Sequence, residues 1–216
     1  MGKLLRQQRR GKGSPTYSSS SHRNLGKTEH GFGIVTDIVH DSEKKSPVVI
    51  VKSGDKEFLA IARKGEAVGT DYSSSEIGSM PEGTKIFNIE IVPGDNGKLC
   101  RSPGSAASIL SHEGEKTTVL LPSKKKKTLL SKCMAVIGSP AGAGRIEKPF
   151  MKAGKMHHAM RAVGKLYPHT SGVSMNPLDH PFGGKTKPGK HKSVSRHMPP
   201  GKKVGSISPR RTGKKK

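Results

Sequence analysis

Tryptophan is absent from the 216 residues, and the other large aromatics amount to 5 Phe and 3 Tyr. That is too few for the stacking platforms that read single-stranded nucleic acid, and no RNP-like aromatic motif is present. Acids are also scarce, with 16 Asp and Glu against 40 Lys and Arg. Apolar residues make up only 31%, which allows two small β cores and excludes one large one. No apolar run approaches the roughly 18 residues of a transmembrane helix. Cysteine occurs only as Cys100 and Cys133, with no CxxC pairing, so both are expected to be reduced thiols in an intracellular protein. The basic stretch MGKLLRQQRR has no apolar region behind it, so no secretory signal is expected. Arg6 stands where a myristoylation signal needs Ser or Thr.

What is present is cation. The net charge is +24 and the isoelectric point about 10.3. So large a charge implies a polyanionic partner, nucleic acid first. An anionic membrane is the weaker candidate, because no stretch makes a basic amphipathic helix of useful length; no membrane partner is expected. The charge is uneven. Residues 1–31 carry 7 cations and 1 acid, 32–92 carry 7 and 10, 93–149 carry 10 and 4, and 150–216 carry 16 and 1. An acid-leaning, apolar-rich block is therefore flanked by basic ones.

Residues 1–31 are nearly free of apolar side chains; alone they could not bury enough surface to offset chain entropy, and they are expected to order only on a partner. Four β-rich runs follow: Phe32–His40, Pro47–Lys52, Glu57–Ala62 and Thr84–Val92. Thr84–Val92 alternates with period 2, and the runs are separated by turn signals such as Ser53-Gly54-Asp55-Lys56 and Met80-Pro81-Glu82-Gly83. Short strands at this spacing, with no helix long enough for a βαβ unit, predict a small OB-like barrel. Pro93-Gly94-Asp95-Asn96-Gly97 is a strong breaker and the expected domain boundary. A second, shorter series, Ser105–His112, Lys116–Leu121, Lys126–Leu130 and Cys133–Gly138, predicts an SH3-like barrel. Lys124–Lys127 fall at a hairpin tip where they could straddle phosphates, unless they form only a solvated turn. Lys152–Lys165 predicts one helix, with Met156, Met160 and Val163 on one face. Nothing after Tyr167 has a core-forming pattern.

Within that last stretch, Gly172–Gly184 reads GVSMNPLDHPFGG. It has neither helical nor strand period, and Pro177 and Pro181 stiffen it. It predicts a shaped loop rather than a flexible tail. Asp179-His180 could be an orienter and a base, but no nucleophile stands at a predictable distance, so no catalytic residue is assigned. Gly183-Gly184-Lys185-Thr186 resembles the end of a phosphate-binding loop, but residue 179 is Asp where that motif needs Gly. Adjacent His157 and His158 have no metal-ligand spacing, so neither metal nor cofactor is expected. No two-Cys, two-His finger and no helix-turn-helix pattern is present. Backbone recognition of a folded RNA by Lys and Arg arms is what remains.

Several segments in order resemble the universal large-subunit ribosomal protein two family, in its archaeal and eukaryotic form. They are Arg9-Arg10-Gly11-Lys12-Gly13-Ser14, Met80–Thr84, Pro93–Leu99, Glu147–Lys155, Gly172–Gly184, Gly201–Gly205 and Arg210–Gly213. The resemblance covers nearly the whole chain and is most specific over Met175–Gly184. It implies an OB-fold barrel followed by an SH3-like barrel, with both basic extensions buried in ribosomal RNA near the peptidyl transferase centre. It also implies a part in subunit association and tRNA placement, with RNA performing the chemistry. The implied partners are large-subunit rRNA, other large-subunit ribosomal proteins, small-subunit contacts and tRNA, and the implied location is the cytoplasmic ribosome. His180 matches the family's often-discussed histidine. Three departures stand out: Ala141-Gly142-Ala143-Gly144 in place of a glycine triplet, Lys185 in place of a third glycine, and Lys124 where a hairpin glycine is usual.

The sequence reading is thus mostly β, with a basic N-terminal extension (1–31), an OB-fold-like RNA-binding domain (32–92), an SH3-like barrel plus short helix (93–166) and a basic RNA-embedded C-terminal extension (167–216). The expected rRNA-binding residues are Arg9, Arg10, Lys12, Lys98, Arg101, Lys124, Lys125, Arg145, Lys148, Lys152, Lys155, His157, Asn176, Asp179, His180, Gly183, Gly184, Lys202, Lys203, Arg210 and Arg211. The alternative is a chromatin-like protein that compacts nucleic acid non-specifically.

Overall fold

Strands form where β-branched and aromatic residues alternate, and their partners decide which core each face joins. The computed structural model describes residues 2–18, 25–185 and 192–209. Contacts divide the chain into two units, Ser20–Met151 and Met1–Ser19 with Lys152–Lys216.

In the first unit, β1 (Phe32–Val39), β2 (Val48–Ser53), β3 (Lys56–Ile61) and β4 (Asp71–Ser73) form an antiparallel sheet in the order β3-β2-β1-β4. The expected Ser53–Lys56 turn closes as a two-residue hairpin loop, with Ser53 opposite Lys56. A second antiparallel sheet holds β5 (Ser75–Glu76), β6 (Lys85–Phe87), β7 (Ala107–Glu113), β8 (Lys116–Leu120), β9 (Lys126–Leu130) and β10 (Met134–Ile137), in the order β5-β10-β6-β7-β8-β9. This is the mostly β architecture expected of an OB fold followed by an SH3-like fold.

Two details differ from the sequence reading. Thr84–Val92 was expected as one long strand of the first barrel. Only Lys85–Phe87 is strand, because Asn88 turns the chain at φ 49°. That strand pairs with β7 and β10, in the second sheet. Its two faces also serve two cores: Ile86 packs with Ile77, Ile109 and Val119, whereas Phe87 packs with Val35, Val51 and Tyr72. β10 does the same through Ala135 and Val136. Successive strand residues point to opposite faces, so a strand apolar on both faces can wall two cores at once.

Pro93–Gly97, within the unit Ser20–Met151, is a turn held by two carboxylates. Buried Glu90 accepts backbone N–H groups of Gly94, Asn96 and Met134 at 3.2, 3.0 and 2.9 Å. Asp95 accepts those of Ile91, Val92 and Gly97. Burial acts to raise the Asp95 pKa, but these N–H groups and Lys98 outweigh it and hold the group below its ordinary value. Asp41 is built the same way. Burial opposes its charge, yet the Lys44 ammonium and the N–H groups of Lys44, Leu25 and Glu43 bring its pKa to about 2. Cys100 and Cys133 are free thiols, and burial pushes Cys100 up to about 11.

In the second unit, α1 (Arg6–Gly11) and α2 (Ala153–Ala162) flank irregular chain, and β11 (Ser193–Val194) and β12 (Ser206–Ile207) make a parallel pair. The helix expected over 152–165 is present, with Met156, Met160 and Val163 half-buried and His157, His158 and Arg161 exposed. Residues 2–18, expected to order only on a partner, fall in this unit, where Leu5 and Val204 are buried. Residues 25–31 belong to the other unit, where Glu29 N–H donates to Leu59 C=O at 2.7 Å.

Candidate nucleic-acid interface

The loop Gly172–Gly184 closes on itself. Its only regular piece is a single 3₁₀ turn, Gly172–Ser174. The Asn176 carbonyl accepts N–H groups of both Asp179 (3.0 Å) and His180 (3.1 Å). Gly183 N–H donates to His180 C=O at 2.9 Å, and Gly184 N–H to Met175 C=O at 3.2 Å. The prolines cannot donate, so these bonds fall on the residues between and around them.

Two glycines allow this closure. A Cβ on Gly183 would collide with the backbone of Asn176 and Met175. A Cβ on Gly172 would collide with the His180 ring. The glycines therefore answer a demand internal to the loop.

His180 is half-buried, and its ring lies 4.9 Å from that of Phe182. Its Nδ1 accepts the Phe182 N–H at 3.1 Å. A neutral imidazole accepting at Nδ1 carries its proton on Nε2, which is left to donate. Burial lowers its pKa below the ordinary histidine value. The neighbouring carboxylate does not orient it as a base would need. Asp179 instead pairs with Lys3, Nζ to Oδ1 at 2.9 Å, while Lys3 N–H donates to Leu178 C=O at 2.9 Å.

The other expected residues spread over both units. In the unit with the loop, Arg9 and Arg10 sit on α1, Lys12 caps its C-terminus, Lys152 caps the N-terminus of α2, and Lys155 and His157 lie on α2. These, with Lys202 and Lys203, are exposed, as is Asn176. In the β unit, Lys124 and Lys125 are exposed in the β8–β9 hairpin, and Arg145 and Lys148 are exposed beyond β10. Lys98 pairs with Asp95 at 3.4 Å. Arg101 is half-buried and donates to Thr28 Oγ1 at 2.7 Å and Gly97 C=O at 3.2 Å. Arg210 and Arg211 lie outside the described residues.

The hairpin explains one departure. Lys124 N–H donates to Leu121 C=O, and Leu121 N–H to Lys125 C=O, which holds Lys124 at φ 61°. Glycine meets that conformation without steric cost. Sequence reasoning missed Lys3; no spacing rule links a residue near the start of the chain to a loop so far along it. Among the described residues, no three of His, Cys, Asp and Glu are grouped to hold a metal ion.

A family model described as the C-terminal domain of ribosomal proteins L2 matches residues 73–203. A large ribosomal subunit protein uL2 of Methanothermobacter thermautotrophicus is 44% identical over 241 aligned positions, covering 100% of both chains. The uL2 of Methanocaldococcus jannaschii is 46% identical over 242 positions, again with 100% of both covered. That of Methanocella arvoryzae is 46% identical, with 99% of each covered. With the self-closed loop in place and the similarity running end to end, the chain belongs to the ribosomal protein L2 family.

Proposed function

We propose that the chain is a structural constituent of the large ribosomal subunit that binds folded large-subunit rRNA. Its partners are that RNA and other large-subunit ribosomal proteins, and its place is the ribosome in the cytoplasm. Following the family resemblance, it lies near the peptidyl transferase centre, supports subunit association and tRNA placement with small-subunit and tRNA contacts, and leaves peptide-bond formation to RNA. The charge of residues 150–216 carries this reading: 16 cations face one acid, Asp179, which is itself paired with Lys3. An uncompensated field of that density is balanced by phosphates. The expected residues from Arg9 to Arg211 are the proposed contacts, with the β unit as anchor and the two basic extensions as arms.

Co-sedimentation with large subunits through increasing salt tests the proposal. The chain should stay bound at physiological salt and strip at high salt, with a log–log slope of roughly −0.7 to −0.9 per neutralised phosphate. Equal affinity for random duplex DNA and large-subunit rRNA would overturn it in favour of non-specific compaction.

A further inference from the structure

Beside the loop, within the unit Met1–Ser19 with Lys152–Lys216, lies a cavity of about 430 Å³. That is within the roughly 300–1,000 Å³ typical of small-molecule sites. Leu5, Tyr17, Leu166 and Met175 line it with apolar and aromatic surface. Leu5 is buried, and Tyr17 and Met175 are half-buried. Arg6 and Arg10 also line it. They stand at i and i+4 on α1, which places them on the same helix face. Lys165 adds a third cation, and no acid is among the lining residues. His180 lines it too, with Nδ1 already occupied by Phe182 N–H, and Gln7, His169 and Thr170 add further polar groups.

A cavity walled by apolar and aromatic side chains, with cations and no anion, suits a ligand that joins a ring to a phosphate. We propose that it takes one unstacked nucleotide of the bound RNA, with the base against Tyr17, Leu166 and Met175 and the phosphate on Arg6 and Arg10. This rests on the RNA-binding reading and sharpens it: the loop unit captures an extruded base as well as gripping backbone. Single-strand readers hold bases on aromatic faces without sequence preference. With one tyrosine in this cavity, one base is what it can stack. The few aromatics in the composition exclude an extended platform; they do not exclude a single pocket.

The test is titration of the full chain at low salt, followed by NMR amide shifts, with adenosine 5′-monophosphate, uridine 5′-monophosphate and ribose 5-phosphate as probes. Both nucleotides should shift amides of α1, Tyr17 and Gly172, and ribose 5-phosphate should bind at least about tenfold more weakly, the scale of one stacked base. Tyr17→Ala should weaken nucleotide binding about tenfold and Tyr17→Phe should retain it. Equal binding of ribose 5-phosphate and the nucleotides, or of an acidic tyrosine-containing peptide and the nucleotides, overturns the proposal. So does a Tyr17→Phe protein that loses binding as completely as Tyr17→Ala. Large-subunit rRNA affinity of the wild-type chain is measured alongside. If rRNA binds and the nucleotides do not, the pocket alone is wrong; if rRNA itself fails to bind, the functional reading falls with it.

Discussion

Lys3 and Asp179 meet at 2.9 Å, and the Lys3 N–H bonds the carbonyl of the residue before that aspartate. The pair is partly exposed, with side chains 59% and 34% accessible. Exposed pairs contribute about 0–1 kcal/mol and are screened by salt. Lys3→Ala should therefore loosen the loop by under ~1 kcal/mol, read as faster amide exchange at Asp179 and His180. Lys3→Pro removes the N–H as well and should cost about 0.5–1.5 kcal/mol more. Equal effects of the two substitutions would show that the backbone bond carries nothing.

Gly183→Val should impair subunit incorporation at least as much as His180→Ala. The valine meets backbone carbonyls of Met175 and Asn176, which can yield only if the loop opens. His180→Ala loses one acceptor for the Phe182 N–H and leaves the remaining loop bonds standing. In-cell incorporation measured on sucrose gradients decides the order; the reverse ranking would falsify this account of the loop.

Protonation of His180 should open the same corner. Its folded pKa lies below the ordinary 6.5, so the neutral form is the one the fold favours. The stabilisation is fully present above 6.5 and is lost as pH falls through the lowered folded value. A proton on Nδ1 would face the Phe182 N–H, donor against donor. NMR should show the Phe182 amide losing exchange protection and titrating with the His180 ring, below pH 6.5. A Phe182 amide that does not respond to that titration would contradict the assigned bond.

Lys124 sits at φ 61°. Left-handed backbone costs a non-glycine residue roughly 1–2 kcal/mol, of which glycine returns part through its larger unfolded-state entropy. Lys124→Gly should thus gain only ~0.5 kcal/mol, seen as a higher urea midpoint with unchanged slope. Lys124→Val should lose about 1–2 kcal/mol, because a β-branched residue is strained there. If Lys124 also meets a phosphate, the glycine variant should lower the magnitude of the rRNA salt slope by about one.

Much of the fold was legible in the sequence. Lys126–Leu130 and Lys116–Leu120 are strands, and Phe32–Val39 and Met134–Ile137 end within a residue of the expected runs. Alternation is local, so it survives without knowledge of partners. β4 and β5 were not legible. They are short and polar, Asp71-Tyr72-Ser73 and Ser75-Glu76, and are strands only because β1 and β10 offer hydrogen-bond partners. The loop was legible as shaped, since its prolines and glycines fit no regular period. The role of Gly183 was not. Its residue type marked Gly183 only as an expected rRNA contact; that a Cβ there would meet the loop's own Asn176 carbonyl is visible in the structure alone.

The sequence by itself determined the charge that any partner must balance, because charge is a sum over residues and needs no fold: +24 overall, with 16 cations and one acid after residue 149. It also determined where strands and turns can form, because period and φ preference act on neighbours. Tertiary structure alone decided that β6 and β10 wall two cores, that Glu90 and Asp95 hold the Pro93–Gly97 turn, and that Lys3 and Arg6 join the loop unit. Each of these is a pairing between residues that sequence distance does not relate. Chain closure costs entropy whichever distant partners meet, so only the summed packing of the fold selects them.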